Sequence, residues 1–291
     1  MVSLDELEKA DFSCLPVKTR VEAFYKATDQ MVRFSKEVIY PVIRGQLGLN
    51  DREKAIVGTY LRMHMWMLSL VAMNSCVHLQ GVAAAVRSLI ELYFDIAILA
   101  SDKTGILVEK FHEFVEVERF RYGRNLINFN DSHPEITKDD DLIIREYVVQ
   151  PERQKRVKKT ILKLWGTTSK GKIKSPNHWT GKDIIERARS LGPEYEHLYV
   201  QAYPRLSWYI HTGSPGYGGI DAVGLESSIA IAHNLAQKMF LKSLIICAKE
   251  MKIDCAIEFL YEAINDLGNL PGKIIIEELT KHLEKAKANA P

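Results

Sequence analysis

Arg205 and His211 are the residues of this sequence whose types and spacing best suit chemistry. They begin and end the segment Arg-Leu-Ser-Trp-Tyr-Ile-His, in which polar side chains lie between bulky apolar ones. Histidine titrates near neutral pH, and a guanidinium binds anions through a planar set of donors. Charged groups among apolar neighbours are costly unless they are paired. The two residues are therefore either a structural polar pair or, as the candidate catalytic residues, parts of a site that holds an anion.

A stripe of hydroxyl groups leads to the imidazole along one face of the predicted helix. Its members recur at every fourth position, and residues at this spacing share a helical face: Tyr195, Tyr199, Tyr203, Ser207 and His211. Arg205 is not on this face, because two residues rotate a helix by about 200°. Pro204 disfavours the helical conformation at Tyr203, so we expect a bend that turns Arg205 toward His211. The alternative is that the tyrosines form a packing face.

Arg87 and Glu91 are four residues apart in a helical run of Val, Ala, Leu, Ile, Tyr and Phe. Buried charges are seldom left unpaired, so the two side chains are expected to interact. One interpretation is an internal salt bridge that fixes the register of the helix. The other places the pair beside Arg205 and His211 as supporting residues that orient them.

A strongly basic run follows Pro151, which suits a helix start, and the helix should end near Gly166. Lysines and arginines interleaved with Trp165 and Trp179 fit single-stranded nucleic acid, where phosphates pair with cations and bases stack on aromatic rings. The alternative is an ordinary solvated helix face. The candidate nucleic-acid-binding residues are Arg153, Lys155, Arg156, Lys158, Lys159 and Lys163.

The sequence predicts no metal site and no cofactor. Two Glu-x-x-His pairs, Glu109/His112 and Glu194/His197, have a spacing that ligates iron in some helical bundles. We discount them because the first pair shares its face with Glu113 and Glu116, as a solvated helix side does. The glycine-rich loop from Thr212 to Gly219 lacks the Gly-Lys-Ser/Thr ending of a phosphate-binding P-loop.

The elements that would position these residues are helices. Amphipathic patterns predict a helix over 17–44 that Pro41 kinks or ends, one from an Asp51 cap to about 77, and one over 82–100. Further helices are predicted up to about 128, over 151–166, from Pro193 through Arg205, over 225–251, and in two pieces between 254 and 285. No strand pattern is present, so the predicted fold is an all-α bundle. We predict a single domain with a helical core at 17–129 and 181–285 and a polar insertion at 131–180.

Composition narrows the function classes. A net charge of +2 excludes a uniformly basic nucleic-acid coat, although it allows a local basic patch. The most apolar stretch, 63–100, is interrupted by charged and polar residues, which favours a buried helical hairpin over a membrane span. The four cysteines are scattered and no secretory signal is visible, so we expect a cytoplasmic protein in a reducing compartment without a membrane partner.

The spacing of Arg205 and His211 at the end of a helix in an all-α domain resembles the signature of the HEPN superfamily, in which an arginine and a histidine are separated by a short run. The chain as a whole resembles an uncharacterised bacterial family of helical proteins related to that superfamily. The resemblance is carried by Arg87-x-x-x-Glu91 in an early helix and by Leu206-Ser207-x-x-x-His211. It implies a metal-independent endoribonuclease, or a catalytically silent relative, in a toxin or phage-defence setting.

The resemblance also implies roles for individual residues. His211 would act as general base on a ribose 2′-hydroxyl, and Arg205 would hold the scissile phosphate. Tyr203 and Ser207 would orient the imidazole or the phosphate. Two such motifs meet across a dimer interface in HEPN proteins, so a homodimer is implied, with the basic run guiding RNA. The alternative from another class is a non-catalytic interaction protein or small-ligand sensor, whose Arg, Glu and His residues form a structural polar core.

Overall fold

The computed structural model of the chain describes residues 17–46, 48–133, 135, 150–210 and 222–252. His211, the glycine-rich loop and the two helices predicted after residue 254 lie outside the described residues. All regular structure within the described ranges is helical, apart from one isolated bridge between Thr167 and Ile173, and this confirms the all-α prediction. The α-helices are α1 Val17–Phe34, α2 Tyr40–Gly45, α3 Asp51–Ala72, α4 Leu79–Ser101, α5 Ile106–Ser132, α6 Pro151–Trp165, α7 Ile184–Leu191, α8 Pro193–Ile210 and α9 Ala222–Glu250.

The chain folds as two compact units. The first, which we call the bundle, joins residues 1–101 to residues 188–291, and the second, the smaller unit, comprises Asp102–Arg187. The unit boundary at Ser101 lies well before the predicted insertion at 131–180. The division into one domain with an insertion stays a prediction.

Helix α4 is the centre of the bundle. It packs against α3, α8 and α9, while α1 packs against α3 and α9. Nearly every turn of this helix contributes buried apolar side chains, and Leu89, Ile90 and Phe94 are fully buried. Gly81, which was expected to precede this helix, lies inside its first turn. A continuous apolar helix thus gives the charged pair Arg87 and Glu91 a rigid support.

The N-terminal helix is interrupted earlier than Pro41 predicts. Residues Ser35–Ile39 form a π-helical segment between α1 and α2, and Pro41 then lies in the first turn of α2, where its missing amide hydrogen is harmless. The cap of α3 also differs by one residue from the expected Asp51. Asn50 accepts a hydrogen bond from the Glu53 amide at 2.9 Å, and the Glu53 carboxylate accepts one from the Asn50 amide at 2.8 Å.

The smaller unit is built on α5 and α6, which pack through an apolar cluster that includes Phe120, Val157 and Trp165. Helix α6 has the bounds expected from Pro151 and Gly166. Asp102 stabilises the start of α5, because its carboxylate accepts hydrogen bonds from the first-turn amides of Leu107 and Val108 at 2.8 and 3.0 Å. Burial by itself would raise the pKa of Asp102, but these amide hydrogen bonds outweigh it and lower the pKa.

Within the described part of the chain, α3 is the one helix long and apolar enough to cross a membrane by length and composition. Its Met63, Met67 and Leu70 side chains are fully buried. Helix α3 packs against α4, α9 and α1, which is the arrangement of a core helix.

Candidate functional site

Arg87, Glu91 and Tyr203 form a closed hydrogen-bonded network between α4 and α8. The Arg87 Nε donates to the Tyr203 hydroxyl at 2.6 Å, and that hydroxyl donates to Glu91 Oε1 at 2.5 Å. Arg87 Nε lies 3.4 Å from the same carboxylate oxygen, and the guanidinium carbon is 4.7 Å from the centre of the Tyr203 ring. The side chains of Arg87 and Glu91 remain 28% and 35% exposed, so the pair is half-buried.

The electrostatics of this network keep Tyr203 protonated. Burial, followed by the hydrogen bond to Glu91 and the charge of that carboxylate, raises the pKa of Tyr203 to about 12, against the opposing effect of Arg87. Each charge has its partner in place, and the tyrosine hydroxyl uses its one hydrogen. The described geometry is therefore that of a polar cross-link between two helices.

The described part of the hydroxyl stripe lies along α4. Tyr195 stacks on Tyr93 with ring centres 5.3 Å apart, and Tyr199 stacks on Tyr203 at 5.2 Å. Ser207 donates to the backbone oxygen of Tyr203 at 2.9 Å, so within the described residues it serves its own helix. The tyrosines that surround the candidate supporting residues thus form a packing face.

Helix α8 continues through Pro204. The bend expected at this residue, which would turn Arg205 toward His211, stays a prediction. Tertiary packing of the helix on α4 compensates for the one backbone hydrogen bond that a proline removes. Arg205 consequently keeps its position about 200° around the helix from Tyr203. It lines a groove between α8 and α9, whereas Tyr203 contacts α4.

This α8–α9 groove has a volume of about 430 Å³. The Tyr209 and Ser228 hydroxyls are hydrogen-bonded across it at 3.2 Å. Neither Arg205 nor Lys238 forms an ion pair or hydrogen bond with any described residue. Burial, and then the neighbouring Lys242, lower the pKa of Lys238. The polar side chains that line the groove are Gln201, Arg205, Tyr209, Ser228, Asn234 and Lys238.

Since His211 lies outside the described residues, its convergence with Arg205 stays a prediction. Among the residues that are described, Arg87 and Glu91 do not line the groove that contains Arg205. Lys238, Asn234 and Gln201 were not predicted from the sequence. Their signal is a pair of polar residues four positions apart on each helix, Gln201 with Arg205 and Asn234 with Lys238. The packing of α8 and α9 on α4 was needed to bring the two pairs to one groove.

The predicted nucleic-acid-binding residues divide into two groups. Arg153 and Arg156 bind Glu116 of α5 at 2.6 and 3.2 Å, and Lys163 binds Glu109 at 2.5 Å. Burial alone would raise the pKa of Glu116, but Arg153 and Arg119 outweigh it and lower the pKa. The second group is exposed and has no ion pair with any described residue: Lys155, Lys158 and Lys159.

Lys158 belongs to a second groove, which lies between α5 and α6 and has a volume of about 310 Å³. Arg121, Arg124 and Lys174 also line this α5–α6 groove, together with the amides Asn125 and Asn128. Arg121 is held by Glu118 at 2.6 Å and by the backbone oxygen of Pro176. No carboxylate belongs to the described lining of the groove, and Arg124, Lys158 and Lys174 have no ion pair among the described residues.

The tryptophans of the basic run are not available for stacking on bases. Trp165 and Trp179 are 6% and 4% exposed, and the Trp165 indole donates to the backbone oxygen of Trp179 at 2.9 Å. The expectation of exposed aromatic rings between the cations is wrong, because Trp165 belongs to the apolar cluster between α5 and α6 and Trp179 packs against Phe111 of α5. Any nucleic-acid contact here must rely on charge.

A buried polar cluster in the bundle was not foreseen from the sequence. The Thr28 hydroxyl donates to the Phe24 backbone oxygen at 2.8 Å, so it can only accept from His233 Nδ1 at 3.1 Å and from Gln237 Nε2 at 3.0 Å. His233 is therefore the neutral tautomer protonated on Nδ1. Burial lowers the pKa of His233 to about 4. Its Nε2 atom has no hydrogen-bond partner within the described ranges.

Metal ligands do not cluster in the part of the chain that the structure describes. No three His, Cys, Asp or Glu side chains come together there as a metal site would require. Of the two Glu-x-x-His pairs, Glu109 is bound to Lys163, and Glu194 and His197 are exposed.

The fold and these sites define an all-α protein with two cation-lined grooves. The model of a family of unknown function, DUF5677, matches residues 53–219. Because the match covers more than half of the chain, the chain belongs to this family. No curated protein and no solved structure matches the chain. The matched region contains Arg87, Glu91, Tyr203, Arg205 and the smaller unit, whereas α9 follows it.

Proposed function

We propose that the protein binds RNA through backbone phosphates at the α5–α6 groove. The observation that carries this proposal is the convergence of Arg124, Lys158 and Lys174 on one groove whose described lining contains no carboxylate. Phosphate is the anion that a row of unpaired cations binds in nucleic acids. The exposed Lys155 and Lys159 extend the positive surface along α6.

The buried positions of Trp165 and Trp179 support a mode of binding that depends on charge. Without exposed rings, the interaction lacks the stacking that favours particular bases, so the sequence of the RNA has little influence. Binding by charge is strongly dependent on salt. Three neutralised phosphates on a single strand predict a slope of about −2 in a plot of log association constant against log salt concentration.

The test is fluorescence anisotropy of a labelled single-stranded RNA. We expect Lys158→Glu combined with Lys174→Glu to weaken binding by about a hundredfold, since each reversal replaces an attraction with a repulsion. The matched control combines Lys26→Glu with Arg62→Glu, which changes the net charge equally at exposed positions of the bundle. Equal weakening by the control pair, or no binding by the wild type at low salt, would refute the proposal.

RNA cleavage is the finer part of the proposal and rests on the HEPN resemblance. It is supported by the position of Arg205 on an open groove without a bound carboxylate. In this scheme His211 removes the ribose 2′-hydroxyl proton and Arg205 stabilises the phosphate charge. Labelled RNA incubated with the protein in EDTA should be cut by the wild type and not by His211→Ala or Arg205→Ala. Cleavage that persists in both variants would remove these residues from the mechanism.

Two further proposals accompany this function, a homodimer and a cytoplasmic location. The homodimer rests on the same resemblance, and light scattering of the purified full chain measures it directly. A mass of one chain at micromolar concentration would contradict it. The location follows from the scattered cysteines, and microscopy of the tagged protein in its host tests it.

The alternative function, a non-catalytic interaction or sensor protein, is favoured by the closed network of Arg87, Glu91 and Tyr203. A network in which every charge is already paired has no group free to act on a substrate. Under this alternative, Arg87→Met lowers the melting temperature by several degrees and leaves RNA binding unchanged. Loss of an RNA activity in Arg87→Met at unchanged stability would count against it.

A further inference from the structure

The α8–α9 groove combines two features that a chance surface depression seldom has together. Its walls are aliphatic, and its volume of about 430 Å³ lies in the range of small-molecule sites. In its described lining, the charged side chains are the cations Arg205 and Lys238, and no carboxylate is present. The aliphatic side chains are Leu198, Ala202, Leu206, Ile231, Ala232 and Leu235.

Among the described residues, neither cation forms an ion pair or a hydrogen bond. Arg205 is exposed, whereas Lys238 is half-buried, and burial together with Lys242 lowers the pKa of Lys238. A ligand that supplies an anion would stabilise both charges. The amides of Gln201 and Asn234 add donors beside the two charges.

The aliphatic residues that line the groove indicate the chemistry of the uncharged part of the ligand. Ile231 is 56% exposed, although it is a large aliphatic side chain in the middle of α9. Covering this side chain and the adjoining leucines removes apolar surface from water. Tyr209 is the single aromatic residue in the lining, so the groove suits an aliphatic body rather than a nucleobase.

From this combination we propose that the α8–α9 groove binds a soluble amphiphilic anion, a carboxylate or phosphate ester on an aliphatic chain of about ten carbons. Arg205 and Lys238 would hold the anionic group, and the leucines, the alanines and Ile231 would enclose the chain. The site belongs to the bundle and does not depend on RNA binding by the smaller unit. Failure of RNA binding at the α5–α6 groove therefore leaves this proposal standing, and failure of decanoate binding leaves RNA binding standing. The RNA-cleavage scheme also uses Arg205, and the cleavage assay in EDTA tests it separately.

Isothermal titration of the full chain with decanoate, below the concentration at which it forms micelles, tests the proposal. Decanol provides the same chain without charge, and adenosine monophosphate provides a phosphate without the chain. We expect decanoate to bind at least tenfold more tightly than either, and decyl phosphate to bind as decanoate does. Equal binding of decanol, tighter binding of adenosine monophosphate, or no saturation with decanoate would overturn the proposal.

Variants separate the groove from the remaining surface. Lys238→Gln and Arg205→Gln should each weaken decanoate binding at least tenfold, and Ala202→Trp should abolish it by filling the groove. Lys26→Gln removes the same charge from an exposed position on α1 and should leave the affinity unchanged. Circular dichroism melts confirm that each variant is folded. Unaltered affinity in Lys238→Gln and in Ala202→Trp would place decanoate elsewhere and overturn the assignment.

Discussion

The bundle and the smaller unit carry their polar side chains in opposite ways. In the bundle, Thr28, His233 and Gln237 are fully buried and neutral, and Thr28 is hydrogen-bonded to both of the others. In the smaller unit, Glu116 and Arg153 are charged and about a quarter exposed. Buried polar contacts thus form between neutral side chains in one region and between charged side chains in the other.

The reason for the difference is the depth of each core. Around α4, several helices exclude water, and an unpaired charge would be too costly there. The smaller unit has only α5 and α6 as long helices within its described ranges, so most of its polar groups reach solvent. We therefore expect the stability of the bundle to respond to pH and that of the smaller unit to loss of single ion pairs.

His233 gives the largest expected effect. Its pKa is about 4 in the folded protein and 6.5 in the unfolded chain, so between these values the unfolded state binds the extra proton. Its contribution to stability is complete above pH 6.5 and is lost as the pH falls toward 4. Wild type should lose about 2 kcal/mol of unfolding free energy between pH 7 and pH 5 that His233→Leu does not lose.

Urea unfolding of both proteins at the two pH values measures this difference. The comparison uses the change with pH within each protein, so a general loss of stability in His233→Leu does not affect it. The same pH dependence in both proteins would mean that burial does not change the pKa of His233. The contrast between the bundle and the smaller unit would then be contradicted at a fully buried residue of the bundle.

Glu116 tests the smaller unit. Glu116→Gln removes the carboxylate that Arg153, Arg156 and Arg119 share, and we expect a loss of about 1.5 kcal/mol, as for charge-assisted hydrogen bonds. The released arginines should at the same time tighten RNA binding by about threefold. Unfolding and anisotropy measurements report the two effects separately.

Glu118→Gln is the matched control for Glu116, because Glu118 is 48% exposed and binds Arg121 alone. Its loss should change stability by less than about 0.5 kcal/mol. Equal destabilisation by the two glutamine variants would show that Glu116, although three arginines share it, contributes no more to stability than Glu118 does.

Tyr203 gives the smallest expected effect. Its network is intermediate between the neutral buried cluster around His233 and the exposed ion pairs of the smaller unit, because it is charged but half-buried. Tyr203→Phe leaves Arg87 and Glu91, already 3.4 Å apart, to pair directly, so we expect a loss of about 1 kcal/mol. Tyr199→Phe is the control, because its hydroxyl forms no hydrogen bond with the described residues. A Tyr203→Phe protein of normal stability with impaired RNA cleavage would instead favour a catalytic supporting role.

The local features of the fold were predictable. Apolar periodicity identifies the helices, and Pro151 and Gly166 define the start and end of α6, because these signals act within a few residues. The pairing of Arg87 with Glu91 follows from their spacing on one helix. The third member of that network, Tyr203, required the packing of α8 on α4, and no pattern within a single helix contains this information.

Pro204 and the tryptophans show the limit of local sequence preferences. Proline is disfavoured inside a helix, yet α8 continues through Pro204 and packs on α4. Trp165 and Trp179 looked accessible among lysines, but Trp165 packs in the apolar cluster between α5 and α6, and Trp179 packs against Phe111 of α5. In both cases the tertiary contacts outweigh a local preference.

The sequence by itself determined that the chain is helical, where most helices begin and end, and which charged residues face each other along one helix. Only the tertiary structure decided which cations form ion pairs with distant residues. Arg153 is neutralised by Glu116, whereas Lys158 has no ion pair among the described residues, although both lie on α6. The physical reason is that helical periodicity is set by neighbours in the chain, whereas the pairing of a charge depends on which distant side chain the packing brings within a few ångströms.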